Sequence, residues 1–194
     1  YEPVLVGVNY ARKSKIKGLY NGLKYELIDF EELKFCGKDR RKRQKALKDN
    51  LLDWLYKNCT KENTSHIILY NVKSELKWLI KYSKKEGIPL IKDVVEWYDK
   101  NNFQGISGFF NYIEDRVGLF YLNKKCKNII AISSLFEQYY KNKKCKVIRI
   151  PTILDINEFL NENYDNSQVI RIVYAGSPMK KDYIINVIKA MLIL

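Results

Sequence analysis

Asn128–Ile150, NIIAISSLFEQYYKNKKCKVIRI, is the stretch on which the fold turns. Asn128–Ser133 is an apolar, β-branched run and reads as a buried strand. Ser133 or Ser134 stands where a helix N-cap belongs, and Leu135–Lys141 follows as a helix. Lys146–Ile150 is a second strand, which stops at Pro151. Strand, helix and strand in succession form the unit from which parallel sheets are built.

The same alternation extends toward the N-terminus. Ser65–Asn71 is a compact strand, and Val72–Glu86 is a helix that Gly87 stops. Ile88–Trp97, IPLIKDVVEW, is the next strand. Asp99–Gly108 is a polar loop and Phe109–Lys125 an amphipathic helix. Further back, Pro3–Tyr10 reads as a buried strand and Ala11–Lys24 as a basic, glycine-containing loop. Tyr25–Phe30 is a strand. Lys38–Asn58 is a long helix with a basic first half and an apolar stripe of Leu47, Leu51, Leu52, Trp54 and Leu55.

Near-continuous apolar strands are those of a parallel sheet covered on both faces. The pattern predicts an α/β fold: a Rossmann-like parallel sheet flanked by helices on both faces. Its strands are Val4–Val8, Ile67–Tyr70, Leu90–Val95, Ile129–Ile132 and Val147–Ile150.

Toward the C-terminus, the polar stretch 160–168 reads as a linker between a first domain, 1–159, and the start of a second, 169–194. Val169–Ala190, VIRIVYAGSPMKKDYIINVIKA, is again strand, glycine turn and helix. Ile184, Ile185, Val187, Ile188 and Met191 form the apolar side of that helix. Gly176 lets backbone amides approach a ligand, Ser177 adds a hydroxyl, and Lys180 and Lys181 add charge at a helix start. A phosphate suits that corner; so does an ordinary strand-to-helix turn with solvated lysines. The run into Leu194 is still helical and apolar, and Tyr1 opens directly in a strand, as in a piece of a longer chain.

The 194 residues carry 35 Lys and Arg against 22 Asp and Glu, a net charge of +13 that favours anionic partners without choosing among them. The basic half of the Lys38–Asn58 helix suits a solvated face or an anionic surface. The four cysteines, Cys36, Cys59, Cys126 and Cys145, are widely spaced and form no CxxC pair. With His66 as the one histidine, they do not suit a structural zinc site, and they fit a reducing compartment. A single histidine at the start of a strand also disfavours a catalytic triad. No apolar run is long enough to span a bilayer as a helix.

Ligands of open parallel sheets bind at the carboxyl ends of the strands. That rule selects Asn71, Glu96–Asp99, Ser133 and Ser134, Pro151–Asp155 and Gly176–Asp182. A carboxylate at Glu96 or Asp99 can orient a sugar hydroxyl, with Trp97 and Tyr98 packing on the sugar face. A capped strand end with a core tryptophan fits the same residues.

Asn128–Phe159, with Ser133, Pro151, Asp155 and Phe159, resembles the group-1 class of GT-B glycosyltransferases. So does Ile170–Asp182, which is similar to the strand, glycine turn and lysine that open the donor domain of that family. Ile91–Asp99 resembles an acceptor-side strand of some members. The resemblance implies a chain that is the acceptor-side half of such an enzyme plus the start of the donor half. Gly176 and Ser177 then line the donor-phosphate turn, Lys181 faces the diphosphate, and Glu96, Trp97, Tyr98 and Asp99 lie on the acceptor side. It implies transfer of a sugar from a nucleotide-sugar, as substrate, to a glycan or lipid-linked acceptor in cell-envelope polysaccharide synthesis. No metal and no cofactor are expected, and nucleic acid is not an expected partner. The implied location is cytoplasmic, peripheral to an anionic membrane surface.

The chain departs from the family pattern in four places, the first being that the usual glycine-rich loop after the first strand is not visible. Val94-Val95-Glu96 stands where many members have a histidine. Ser177 stands where many have an arginine. The paired glutamates of the donor site would lie past Leu194. The same basic composition leaves a second reading open, a nucleic-acid or membrane-surface binding domain without catalysis, although no helix-turn-helix, RNP-like or KH motif is visible.

Overall fold

The computed structural model describes residues 2–8, 16–28, 40–70, 75–153, 174 and 184–191. The chain divides into two units, 1–96 with 113–151, and 97–112 with 152–194.

The first unit holds the sheet that the alternation predicts. Strands β4 (Ile67–Leu69), β5 (Leu90–Val94), β6 (Asn128–Ala131) and β7 (Lys146–Arg149) pair in that order, every neighbour parallel. Helix α2 (Leu76–Glu86) links β4 to β5, and α4 (Ser134–Asn142) links β6 to β7. Ser133 is the N-cap of α4: its hydroxyl accepts from the Phe136 amide at 3.4 Å. Gly87, in left-handed backbone, ends α2 as expected. The protein is therefore α/β, with a helix-flanked parallel sheet of the kind found in Rossmann-like folds.

The helices do not gather as the sequence pattern predicts. β5 alternates: Leu90, Lys92 and Val94 are buried, and Ile91 and Asp93 are half-buried on the other side. Leu90 belongs to a core shared with Leu55, Leu69, Leu76, Leu79, Ile80 and Tyr82. Val94 belongs to a second core with Leu119, Ile129, Ala131, Phe136 and Tyr140. Both cores lie on one face of the sheet. On the opposite face Ile68 and Ile148 are 62% and 58% exposed. The cause is the strand order. Right-handed crossovers between strands laid down in sequence place every connecting helix on the same side, and only a reversal of order covers the other.

Val4–Val8 is not a strand of that sheet. As β1 it pairs in parallel with β3 (Leu23–Ile28), which also pairs antiparallel with β2 (Lys17–Tyr20). Val4, Leu5 and Val6 are exposed rather than buried. The described part of the expected Ala11–Lys24 loop is mostly this hairpin. Its two-residue turn, Asn21-Gly22, has φ of 49° and 80°, the pair of positive values that matches the twist of the flanking strands. The hairpin leaves one edge of β3 to receive β1. Helix α1 (Arg40–Asn58) joins this sheet through Trp54, whose indole donates to Glu26 at 3.0 Å.

The expected Phe109–Lys125 helix also differs. α3 runs over Gly105–Val117, starting inside the predicted loop. A π-turn, Gly118–Leu122, and a 3₁₀ turn, Asn123–Cys126, complete the path to β6. In the second unit, α5 (Ile184–Met191) is the expected apolar helix, with Ile185, Val187, Ile188 and Met191 exposed.

Candidate functional site

The carboxyl end of β5 is the best-defined place for a site. The strand lies between β4 and β6, so its carboxyl end, which leads to Glu96, leaves the middle of the sheet. Two ionisable groups occupy the strand itself. Lys92 is 6% exposed, between the two cores. Its ammonium donates to the Asp93 carbonyl at 2.7 Å and reaches the Leu69 carbonyl, on the last residue of β4, at 3.4 Å. Burial lowers its pKa, and the Asp93 carboxylate partly opposes that shift. Asp93 points to the opposite face, in register with Ile130. Burial raises its pKa, and Lys92 pulls it back.

Past the strand, Glu96 is exposed and closes the first unit; Trp97, 41% exposed, opens the second. Tyr98 is half-buried, its ring 5.9 Å from that of Phe103, edge to face. Phe103 in turn packs on Tyr112 at 5.6 Å. Asp99 is occupied locally. Its carboxylate accepts from the Asn101 amide at 2.9 Å, and the Asn102 side chain accepts from the Asp99 amide at 2.8 Å. This reciprocal pair caps a 3₁₀ helix, Lys100–Asn102. Asp99 thus fixes the path of the segment, and Glu96 is the carboxylate that the segment presents to solvent.

The other strand ends contribute less. Ser133 is a helix cap, and Ser134 and Pro151 are exposed. His66 is exposed just before β4, at the amino end of the sheet. Asn71, Asp155 and Phe159 lie outside the described residues, as do Gly176, Ser177 and Lys181 of the expected phosphate turn. Among the described residues no group of three His, Cys, Asp or Glu side chains could hold a metal ion.

Lys92 and Asp93 were not singled out from sequence, yet the signal is there. Adjacent charges inside IPLIKDVVEW cannot both face water if the strand is central, so one must be buried. Chemically, Glu96 of the first unit offers a hydroxyl-accepting carboxylate, and Trp97 and Tyr98 of the second are residue types whose rings pack on sugar faces. Comparison of the chain with protein-family models, with curated proteins and with solved structures gave no significant match.

Proposed function

We propose that the chain is the acceptor-side half of a GT-B glycosyltransferase, with the first elements of its nucleotide-sugar-binding half. One observation carries the reading. A central strand of a parallel sheet runs directly into Glu96-Trp97-Tyr98, where an exposed carboxylate precedes two aromatic residues at the strand's carboxyl end. The rule for ligand sites in open parallel sheets supports the location. The residue types support a carbohydrate: a carboxylate such as Glu96 accepts from an acceptor hydroxyl, and rings such as Trp97 and Tyr98 pack on the C–H face of a sugar. Asp99 acts as a positioning residue through its cap.

In this reading 1–159 is the acceptor domain, 160–168 the linker and 169–194 the start of the donor domain. Gly176, Ser177 and Lys181 meet the diphosphate of the donor. Catalysis then rests on stabilising the departing nucleotide diphosphate, which needs fixed donors and positive charge rather than a metal. The acceptor is a glycan or lipid-linked glycan presented at the cytoplasmic face of a membrane.

The test is a transfer assay on the full-length protein, against a panel of nucleotide-sugars with glycan and lipid-linked acceptors. Sugar transfer whose acceptor KM rises in Glu96→Gln and Trp97→Ala, with donor KM unchanged, is the expected result. No transfer from any donor, or transfer indifferent to both substitutions, overturns the reading.

A further inference from the structure

We propose that the groove between α1 and α2 is a binding site for a phosphoester, a phosphate group carried on an apolar or aromatic body. The inference is independent of the glycosyltransferase reading and concerns a different part of the first unit.

The groove has a volume of about 280 Å³ and is lined by Lys48, Lys77, Lys81 and Lys85 together with the rings of Tyr56 and Trp78. Lys77, Lys81 and Lys85 follow one another at four-residue intervals and so form one line along α2. Lys48 faces them from α1. Among the described residues no carboxylate lines the groove. Asp49 and Glu86 meet Lys48 and Lys85 at 4.0 and 3.7 Å from sequence-neighbouring positions. A helix face built only for solubility intersperses both signs at this spacing. Here one sign is concentrated in a concave place, and an anion would relieve the mutual repulsion.

The aromatic side is pre-arranged. The Lys85 ammonium lies 4.7 Å from the Tyr56 ring centre and that of Lys48 5.7 Å from Trp78, distances at which the ring holds the cation against the wall. Beneath them Tyr82 is buried, its hydroxyl donating to the Cys59 and Leu55 carbonyls at 3.0 and 3.2 Å. Its ring meets Tyr56 edge-on at 5.0 Å. The floor therefore does not have to form on binding. Ammonium groups beside fixed ring faces suit a phosphate attached to a flat or apolar body, and the volume suits a small one.

The experiment titrates three probes while following the Trp78 indole resonance, assigned by Trp78→Phe. The probes are phenyl phosphate, inorganic phosphate, and phosphatidic acid vesicles set against phosphatidylcholine vesicles. Phenyl phosphate is expected to shift the Trp78 signal and to bind at least about tenfold more tightly than inorganic phosphate, because the ring contacts add to the charge. Lys77→Gln and Lys81→Gln each weaken it about fivefold, the effect of one near-surface charge of about 1 kcal/mol. Lys141→Gln, away from the groove, leaves it unchanged.

Phosphatidic acid vesicles that bind through Trp78 and are displaced by phenyl phosphate identify a lipid source. Binding of phenyl phosphate without the vesicles identifies a soluble one. A Trp78 signal indifferent to all three probes overturns the assignment. So does equal weakening by Lys141→Gln, which would mark bulk charge. A single-stranded oligonucleotide that outcompetes phenyl phosphate a thousandfold through the same lysines overturns it in favour of nucleic acid.

Discussion

The hydroxyl of Tyr140, on α4, donates to the carbonyl of Leu119, in the π-turn that follows α3, at 2.9 Å. The same hydroxyl accepts from the Asn123 amide at 2.9 Å, and all three residues are buried. One oxygen therefore fastens the irregular end of the α3 segment to the helix that covers β6 and β7. Burial pushes the Tyr140 pKa far up, so the group stays a donor throughout the range in which the protein folds. Tyr140→Phe removes the bridge and leaves a buried amide and carbonyl short of a partner. It should lower unfolding free energy by about 1–3 kcal/mol, read as a lower urea midpoint at unchanged slope. Tyr139→Phe, half-buried beside it, should shift the midpoint less.

Lys92 is a buried cation whose ammonium donates to the Asp93 and Leu69 carbonyl oxygens. Its folded pKa lies below the ordinary lysine value of 10.5, so the folded state holds the proton less firmly than the unfolded chain. The resulting penalty is complete below the folded pKa and fades as pH rises from there to 10.5. Lys92→Met keeps the volume and removes the charge. It should stabilise the protein by roughly 1–4 kcal/mol at pH 7, with the gain shrinking as pH approaches 10.5. A lower melting temperature for Lys92→Met at pH 7 would mean that the two carbonyl contacts outweigh the desolvation.

Asp93 has the opposite sign of charge and the same kind of penalty. Its folded pKa is raised above 3.8 by burial, so the folded state binds the proton more firmly. Stability lost through this group is complete above the folded pKa and recovered as pH falls toward 3.8. Asp93→Asn should therefore raise the melting temperature at pH 7 and have little effect near pH 3.5. Equal shifts at both pH values would show that the effect comes from packing and not from charge.

Cys126 is buried, and its thiol is pushed up to about 11, with desolvation the largest cause. The thiolate is the reactive form, so the native protein should resist alkylation at this site at pH 8. Half-buried Cys59, its pKa also raised, should react sooner. Peptide mapping after a brief iodoacetamide pulse, with and without urea, checks the order. Rapid native labelling of Cys126 would contradict the packing around it.

For the proposed activity, Lys181→Ala in the full-length protein should reduce turnover about 100- to 1000-fold, the usual effect of losing one preorganised oxyanion donor. Lys180→Ala is the control, because the reading gives the diphosphate to Lys181 and not to its neighbour. Transfer rates near normal in both variants would leave the two lysines as surface charge.

The alternation of Asn128–Ile150 and Ser65–Trp97 determined the parallel sheet by itself. Apolar period and helix caps act over a few residues, and Ser133 and Gly87 cap as their local chemistry requires. Asn21-Gly22 was passed over inside the loop read at Ala11–Lys24, although positive φ at both positions is a property of the pair and marks a hairpin turn. What the sequence pattern misplaced was partnership. Val4–Val8 has the composition of a central strand, but which edge it joins is a competition between distant segments, and β3 was the edge that received it. The same holds for the face that the helices cover, which follows from the order of four strands rather than from any one of them. At the candidate site, the acidic and aromatic residues after β5 were readable from position alone. That Asp99 is spent on a cap while Glu96 faces solvent was not, because a carboxylate's role depends on which amides the folded backbone brings to it.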